Sequence, residues 1–144
     1  MKFLIINGPN LNMLGLREPD IYGRSNLAEL EAMVREHCKS MGVDTEFYQS
    51  NHEGDIVDRI QAAYGNTDAI VINPAAYTHT SVAIADAIKA VSIPAVEVHL
   101  SDVDAREDFR KISYVSPVCL ATVKGKHFAG YTEACDILLA QLSK

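Results

Sequence analysis

Glu97 and His99 stand two residues apart at the end of an apolar run, Ala95 to His99, so the pleat of a strand would put both side chains on one face. A carboxylate beside an imidazole fixes its tautomer and makes it a better proton donor. Such a histidine is either a core residue with an ion-pair partner or an acid at a site, and a strand end favours the second. Arg106 and Arg110 are four residues apart, which on a short helix spanning Ala105 to Arg110 would place them on one face as a clamp for a carboxylate or phosphate. Arg-Glu-Asp-Phe-Arg reads equally well as a solvated surface helix with internal ion pairs. The turn Leu100-Ser101 offers backbone N–H groups and a hydroxyl to an anion. Asn73, Tyr77, Thr78, His79, Thr80 and Ser81 supply groups that could hydrogen-bond a polyhydroxylated ligand, while Thr80 or Ser81 caps the next helix.

The second concentration of chemistry is the stretch Asn7 to Tyr22, NGPNLNMLGLREPDIY. It is longer than the two to six residues that usually join a strand to a helix. Leu11, Met13, Leu14, Leu16 and Ile21 want burial, so it reads as a binding loop or lid rather than a linker. Tyr22 is either a loop anchor or a base tuned by Arg17, with Arg106 across a crevice. Serving as a base near neutral pH would require its pKa to fall by roughly two to three units from about 10, which asks the surroundings for about 3 to 4 kcal/mol. Two cations in a partly desolvated site are of that size.

Those residues need a scaffold that gathers them. Five apolar runs alternate with helical periodicity: Lys2 to Asn7, Val43 to Gln49, Ala69 to Ile72, Ala95 to His99 and Leu120 to Lys124. Asn26 with Glu29 marks one helix start and Gly42 its end. The pattern reads as βα repeated five times, which makes an α/β protein with a five-stranded parallel sheet, order 2-1-3-4-5, and helices on both faces. The loops after strands one, three and four then converge on the crevice between strands one and three. They carry Asn10, Arg17, Tyr22, Asn73, His79, His99 and Ser101.

Composition narrows the class. At 144 residues, with 48% hydrophobic and 22% charged, the chain is expected to form one domain over residues 1–144 with a core of its own. No apolar run approaches a membrane span, and the run before Asn-Gly-Pro is too short for a signal peptide, so a cytoplasmic location without membrane contact is expected. Cys38, Cys119 and Cys135 read as buried free thiols. A net charge of -6 argues against nucleic acid, although the clustered arginines suit a small anion. Neither G-x-G-x-x-G nor a phosphate-binding G-x-x-x-x-G-K-[ST] occurs, nor a Cys/His cluster at metal spacing, so no cofactor is expected. The residues leave three readings open: a cofactor-free enzyme, a non-catalytic module for an acidic metabolite, and a metal-assisted lyase using Glu97, His99 and His79.

Four ordered blocks, NGPNLNMLGLREPDIYG, QSNHEGDIVD, INPAAYTHTSVAIADA and VEVHLSDVDAREDFRKISYVSP, resemble the type II 3-dehydroquinate dehydratases over nearly the full length. The resemblance implies a flavodoxin-like three-layer sandwich and a cofactor-free hydro-lyase. It would convert 3-dehydroquinate to 3-dehydroshikimate by anti elimination, in the shikimate pathway for aromatic amino acid biosynthesis or in quinate catabolism. It implies Tyr22 as base, Arg17 keeping it ionised, Asn10 holding a water against the enolate oxygen, and His99, oriented by Glu97, as acid. Asn73, His79, Leu100, Ser101, Arg106 and Arg110 would hold substrate, and Asp86 would reach an adjacent subunit in a homo-oligomer of trimers grouped into a dodecamer. Asp102, Asp104, Ala85 and His127 depart from the family pattern.

Overall fold

The computed structural model describes residues 1–16 and 25–144. Five parallel strands, β1 (Lys2–Asn7), β2 (Asp44–Gln49), β3 (Ala69–Asn73), β4 (Ala95–His99) and β5 (Ala121–Lys124), form one sheet in the order β2-β1-β3-β4-β5. Among the described residues four α-helices, α1 (Leu27–Ser40), α2 (Glu53–Ala62), α3 (Val82–Val91) and α4 (Ala129–Leu142), cover it. The expected α/β, flavodoxin-like layering and strand order are therefore those of the molecule. The pleat sorts the strands' apolar residues between two cores. Phe3, Ile5, Val71, Val96 and Val98 pack with α1 and α4, whereas Leu4, Ile6, Ile70, Ile72 and Ala95 pack with α2 and α3. Both faces of the central strands are buried, which is why those strands read as unbroken apolar runs.

Local signals set the helix ends. The Asn26 side chain accepts from the Glu29 N–H at 2.9 Å and starts α1, and Gly42 follows that helix at φ 76°. Ser81, rather than Thr80, caps α3, accepting from the Ile84 N–H at 3.0 Å.

Three expectations need correction. The crossover from β4 to β5 contains no α-helix among its residues; it runs through three single turns of 3-10 helix, Val103–Ala105, Asp108–Lys111 and Ser116–Val118, so the βα unit repeats four times and not five. Its polar, proline-containing sequence lacks an apolar stripe for the sheet to hold. Arg106 is extended between two of those turns, so it and Arg110 do not share a helical face. In the opening loop, Leu11 is buried and Leu14 half-buried, but Met13 and Leu16 are exposed; Ile21 lies outside the described residues.

The ends of β1 and β3 are held very close. The Gly8 N–H donates to the Asn73 carbonyl at 2.8 Å, and a Cβ on Gly8 would lie 2.6 Å from the Pro74 carbonyl oxygen. Rigid backbone on the far side leaves no room for a methyl group. Gly8→Ala should therefore destabilise the fold by about 1–3 kcal/mol, read as a lowered denaturation midpoint. An unchanged midpoint would mean that the two strand ends are free to separate.

Candidate active site

Beyond the carboxyl ends of the strands lies a cavity of about 290 Å³. The loop after β1 contributes Asn10 and Leu14, the loop after β3 Ala75 and His79, and the segment after β4 Leu100, Ser101, Arg106 and Arg110, with Asn73 and His99 at the strand ends. This is the crevice at the topological switch, between β1 and β3, where α/β sheets of this order bind ligands.

His99 and Glu97 meet as their spacing predicts. His99 Nε2 lies 2.7 Å from Glu97 Oε2, which leaves Nδ1 as the ring nitrogen for the cavity. Glu97 has no solvent exposure. Its carboxylate is surrounded by hydroxyls: Thr78 on Oε2, Thr122 on Oε1 at 3.1 Å, and Ser113 near both oxygens at 3.2 and 3.1 Å. Thr122 is the register partner of Glu97 across β4 and β5, so its position is fixed by strand pairing. Burial pushes the Glu97 carboxyl up, but the hydrogen bond and charge of His99, with the hydroxyls of Thr78 and Thr122, outweigh it and hold the group below its ordinary value. The result is an anion behind the imidazole at neutral pH.

His79 Nδ1 lies 2.7 Å from the Ile112 carbonyl, which puts the proton on Nδ1 and turns Nε2 into an acceptor when the ring is neutral. Arg110 Nε donates to Glu107 at 2.7 Å, which orients that guanidinium beside the cavity, whereas Arg106 Nε lies 4.0 Å from the same carboxylate, beyond hydrogen-bonding distance. The Leu100 and Ser101 carbonyls accept from the N–H groups of His127 and Gly125 at 3.0 and 3.2 Å, tying this turn to the one before α4. Asn10 adopts φ 70° and donates its N–H to Asn51 Oδ1 at 3.0 Å. Gln49 reaches the Gly8 carbonyl at 3.1 Å and Asn12 at 3.4 Å, so the residues after β2 brace the described stem of the opening loop.

The cavity thus brings together Asn10, Asn73, His79, His99, Leu100, Ser101, Arg106 and Arg110, with Glu97 directly behind His99. It does not contain Asp86, which is exposed on α3. Tyr22 and Arg17 lie outside the described residues. Sequence reading passed over the roles of Ser113, Thr122, Asn7 and Tyr131, which act only through distant partners. It also passed over Ala75, a non-glycine residue at φ 52° whose N–H donates to Asn73 Oδ1 at 3.0 Å. Among the described residues no group of three or more His, Cys, Asp or Glu side chains is placed to hold a metal ion.

Fold and crevice define an α/β protein whose site joins a carboxylate-anchored histidine to amide and guanidinium groups, an arrangement for proton transfer on a small polar anion. The sequence matches the profile of the family Dehydroquinase class II over residues 1–139. The chain belongs to that family. It is 57% identical over 135 residues to a catabolic 3-dehydroquinase of Aspergillus oryzae, covering 94% of this chain and 88% of that protein. It is 48% identical to a 3-dehydroquinate dehydratase of Dinoroseobacter shibae, covering 99% of this chain and 95% of that protein. A type II dehydroquinase crystal structure from Butyrivibrio crossotus superposes with a TM-score of 0.93 at 55% identity, covering 96% of this chain and 97% of that one.

Because Glu97 titrates lower in the folded chain than in the unfolded one, it stabilises the fold fully above its unfolded value near 4.3 and progressively less as pH falls through the folded value. Glu97→Gln should lower the midpoint of denaturant unfolding at pH 7 by an amount equivalent to about 1–3 kcal/mol. It should also flatten the loss of stability between about pH 5 and 3. The same acid slope in the variant and the parent would remove Glu97 from that role.

Proposed function

We infer that this chain is a hydro-lyase that dehydrates 3-dehydroquinate to 3-dehydroshikimate, the reaction named for its relatives. The observation that carries the reading is the buried Glu97–His99 pair, 2.7 Å apart, at the edge of a cavity lined by Arg106, Arg110 and Asn73. A proton beside a ketone is acidic enough for a phenolate to remove if the enolate is stabilised, and hydroxide leaves readily once an imidazolium delivers a proton to it.

In this reading Tyr22, kept ionised by Arg17, removes the ring proton, and the electron pair moves onto the ketone oxygen as an enolate. Asn10 holds a water against that oxygen, and Arg106 adds positive field. The enolate then re-forms the ketone, the carbon–oxygen bond to the departing hydroxyl breaks, and His99 supplies its proton from Nδ1, giving water and the enone. The proton taken by Tyr22 returns through solvent to His99, which closes the cycle. Asn73, His79, Leu100, Ser101 and Arg110 hold the carboxylate and ring hydroxyls. Neither a metal nor an organic cofactor enters this course.

The remaining expectations belong to the same proposal. The chain acts as one catalytic domain over residues 1–144 in the cytoplasm, in aromatic amino acid biosynthesis or quinate catabolism. Copies assemble as trimers grouped into a dodecamer, with Asp86 reaching a neighbouring site; its exposure on α3 suits that role. No helix among the described residues is long and apolar enough to cross a membrane.

The test is turnover of 3-dehydroquinate, followed by the enone absorbance of the product. Absence of turnover in the purified protein would sink the assignment. Tyr22→Phe should lower kcat by about 10²–10⁴-fold with substrate affinity nearly unchanged; a largely retained rate would place the base elsewhere. Arg17→Ala should move the basic group in the kcat/KM profile to higher pH, and a profile that stays in place would make Arg17 a binding residue only. In His99→Ala, exchange of the ring proton with solvent should persist after turnover is lost. Loss of both together would take the acid role away from His99.

A further inference from the structure

On the opposite face of the sheet from Glu97 and His99, a second buried polar chain runs up to the cavity. Asn7 and Asn73 are register partners at the ends of β1 and β3. The pleat turns both toward α4, where Phe3, Ile5 and Val71 also point. Tyr131, fully buried on α4, enters between them: its hydroxyl donates to Asn7 Oδ1 at 2.6 Å and accepts from Asn73 Nδ2 at 2.9 Å. On the other side of the Asn73 amide, Oδ1 takes the Ala75 N–H at 3.0 Å on one of its two lone pairs, which sets which end of the amide faces Tyr131. One Nδ2 hydrogen of Asn73 is left, and Asn73 lines the cavity.

We propose that Tyr131 is a positioning residue for substrate: with Asn7 on one side and the Ala75 N–H on the other, it holds the Asn73 carboxamide so that the remaining Nδ2 hydrogen is presented to the cavity as a donor. The proposal rests on the dehydratase reading for the identity of the ligand, whose hydroxyl and carboxylate oxygens are the acceptors such a donor would select. Each hydrogen bond in the chain fixes the direction of the next. Were Asn7 rotated to donate from Nδ2, the Tyr131 hydroxyl would accept from both amides and its own hydrogen would have no acceptor. Burial holds the Tyr131 phenol well above its ordinary value, so the hydroxyl keeps its proton at any working pH.

The cost of the arrangement argues that it serves more than packing. Asn7 Nδ2 is buried and has no hydrogen-bond partner among the described residues. A leucine at that place would fill similar space without burying an unpaired donor. What leucine would lack is the acceptor that orients Tyr131.

The test combines steady-state kinetics with a signal that needs no substrate. Tyr131→Phe keeps the ring and removes only the hydroxyl, so it should raise KM for 3-dehydroquinate about tenfold while kcat stays within about twofold, the loss expected for one oriented hydrogen bond. Asn73→Ala should show the same direction, and the double variant should be no worse than Asn73→Ala alone. In ¹⁵N-labelled protein the Nδ2 proton resonances of Asn73 should shift and exchange faster with water in Tyr131→Phe. If Tyr131→Phe loses thermal stability with KM unchanged, or if its effect adds in full to that of Asn73→Ala, the positioning role is overturned. If the parent protein turns nothing over, the dehydratase reading fails by itself; the Asn73 resonances then decide, and unchanged signals overturn the proposal. Should Tyr131→Phe fail to fold, Asn7→Leu is the second variant, with a several-fold rise in KM expected and an unchanged KM overturning.

Discussion

An ionised carboxylate with no exposure to water is the constraint around which the catalytic end of this sheet is arranged. Removing a carboxylate from solvent costs several kcal/mol even after the protein relaxes, and attraction to one partner seldom recovers it. Glu97 is therefore met from four separate segments: His99 on its own strand, Thr78 after β3, Ser113 in the β4–β5 crossover and Thr122 on β5. Moving any of these segments exposes or orphans the charge, so fixing Glu97 fixes His99. The irregular crossover is also held here, because the Ser113 hydroxyl accepts the Ser116 N–H at 2.9 Å while facing the carboxylate. The crossover is thus anchored by polar contacts as well as by Val115, which is buried in the core on the α2 and α3 side.

The pleat divides the labour between the two faces. Odd-numbered residues of β4 deliver Glu97 and His99 toward the α2 and α3 side, whereas the last residues of β1 and β3 deliver two amides toward α4. Both sets meet at the same strand ends because the sheet order puts β1, β3 and β4 side by side. The contact of Gly8 with Pro74 keeps those ends in register at the point where the loops diverge. A group on either face is thus placed by backbone pairing, with little left to loop conformation, and sites built this way hold their geometry better than sites made of loops alone.

How much could be read from the sequence follows from the range of each interaction. Strand order, the crevice and the Glu97–His99 contact were legible, since they depend on period-two spacing and on alternation of strands with helices. Sequence spacing misled for Arg106 and Arg110: four residues apart implies one face only inside an α-helix, and the crossover has no apolar stripe to support one. Thr122 and Ser113 gave no signal, because a hydroxyl becomes a carboxylate's partner only through strand register or a distant turn. Tyr131 stands at helical spacing from Cys135 and Leu138, which by itself marks only a core position. Its hydroxyl matters through Asn7, 124 residues away in the chain, and no local pattern carries that.

The departures from the family pattern bear on charge, and the structure shows how they are absorbed. Asp104 pairs with Lys124, the register partner of His99, and Asp102 accepts from the Asp104 N–H at 3.1 Å. Neither aspartate lines the cavity that holds Asn73 and Arg106, although Asp104 lines a neighbouring one of about 310 Å³ together with His79, His99 and Arg110. Asp104 is thus paired with a lysine and Asp102 caps a turn, while Arg110 is oriented by Glu107. His127 sits at φ 50° before α4, gives its N–H to the Leu100 carbonyl and lines the cavity. A protein of net charge -6 repels anions at long range, yet screening confines that repulsion to about 8 Å at physiological salt. Inside the crevice the nearest charges decide, and there Asp104 is paired with Lys124.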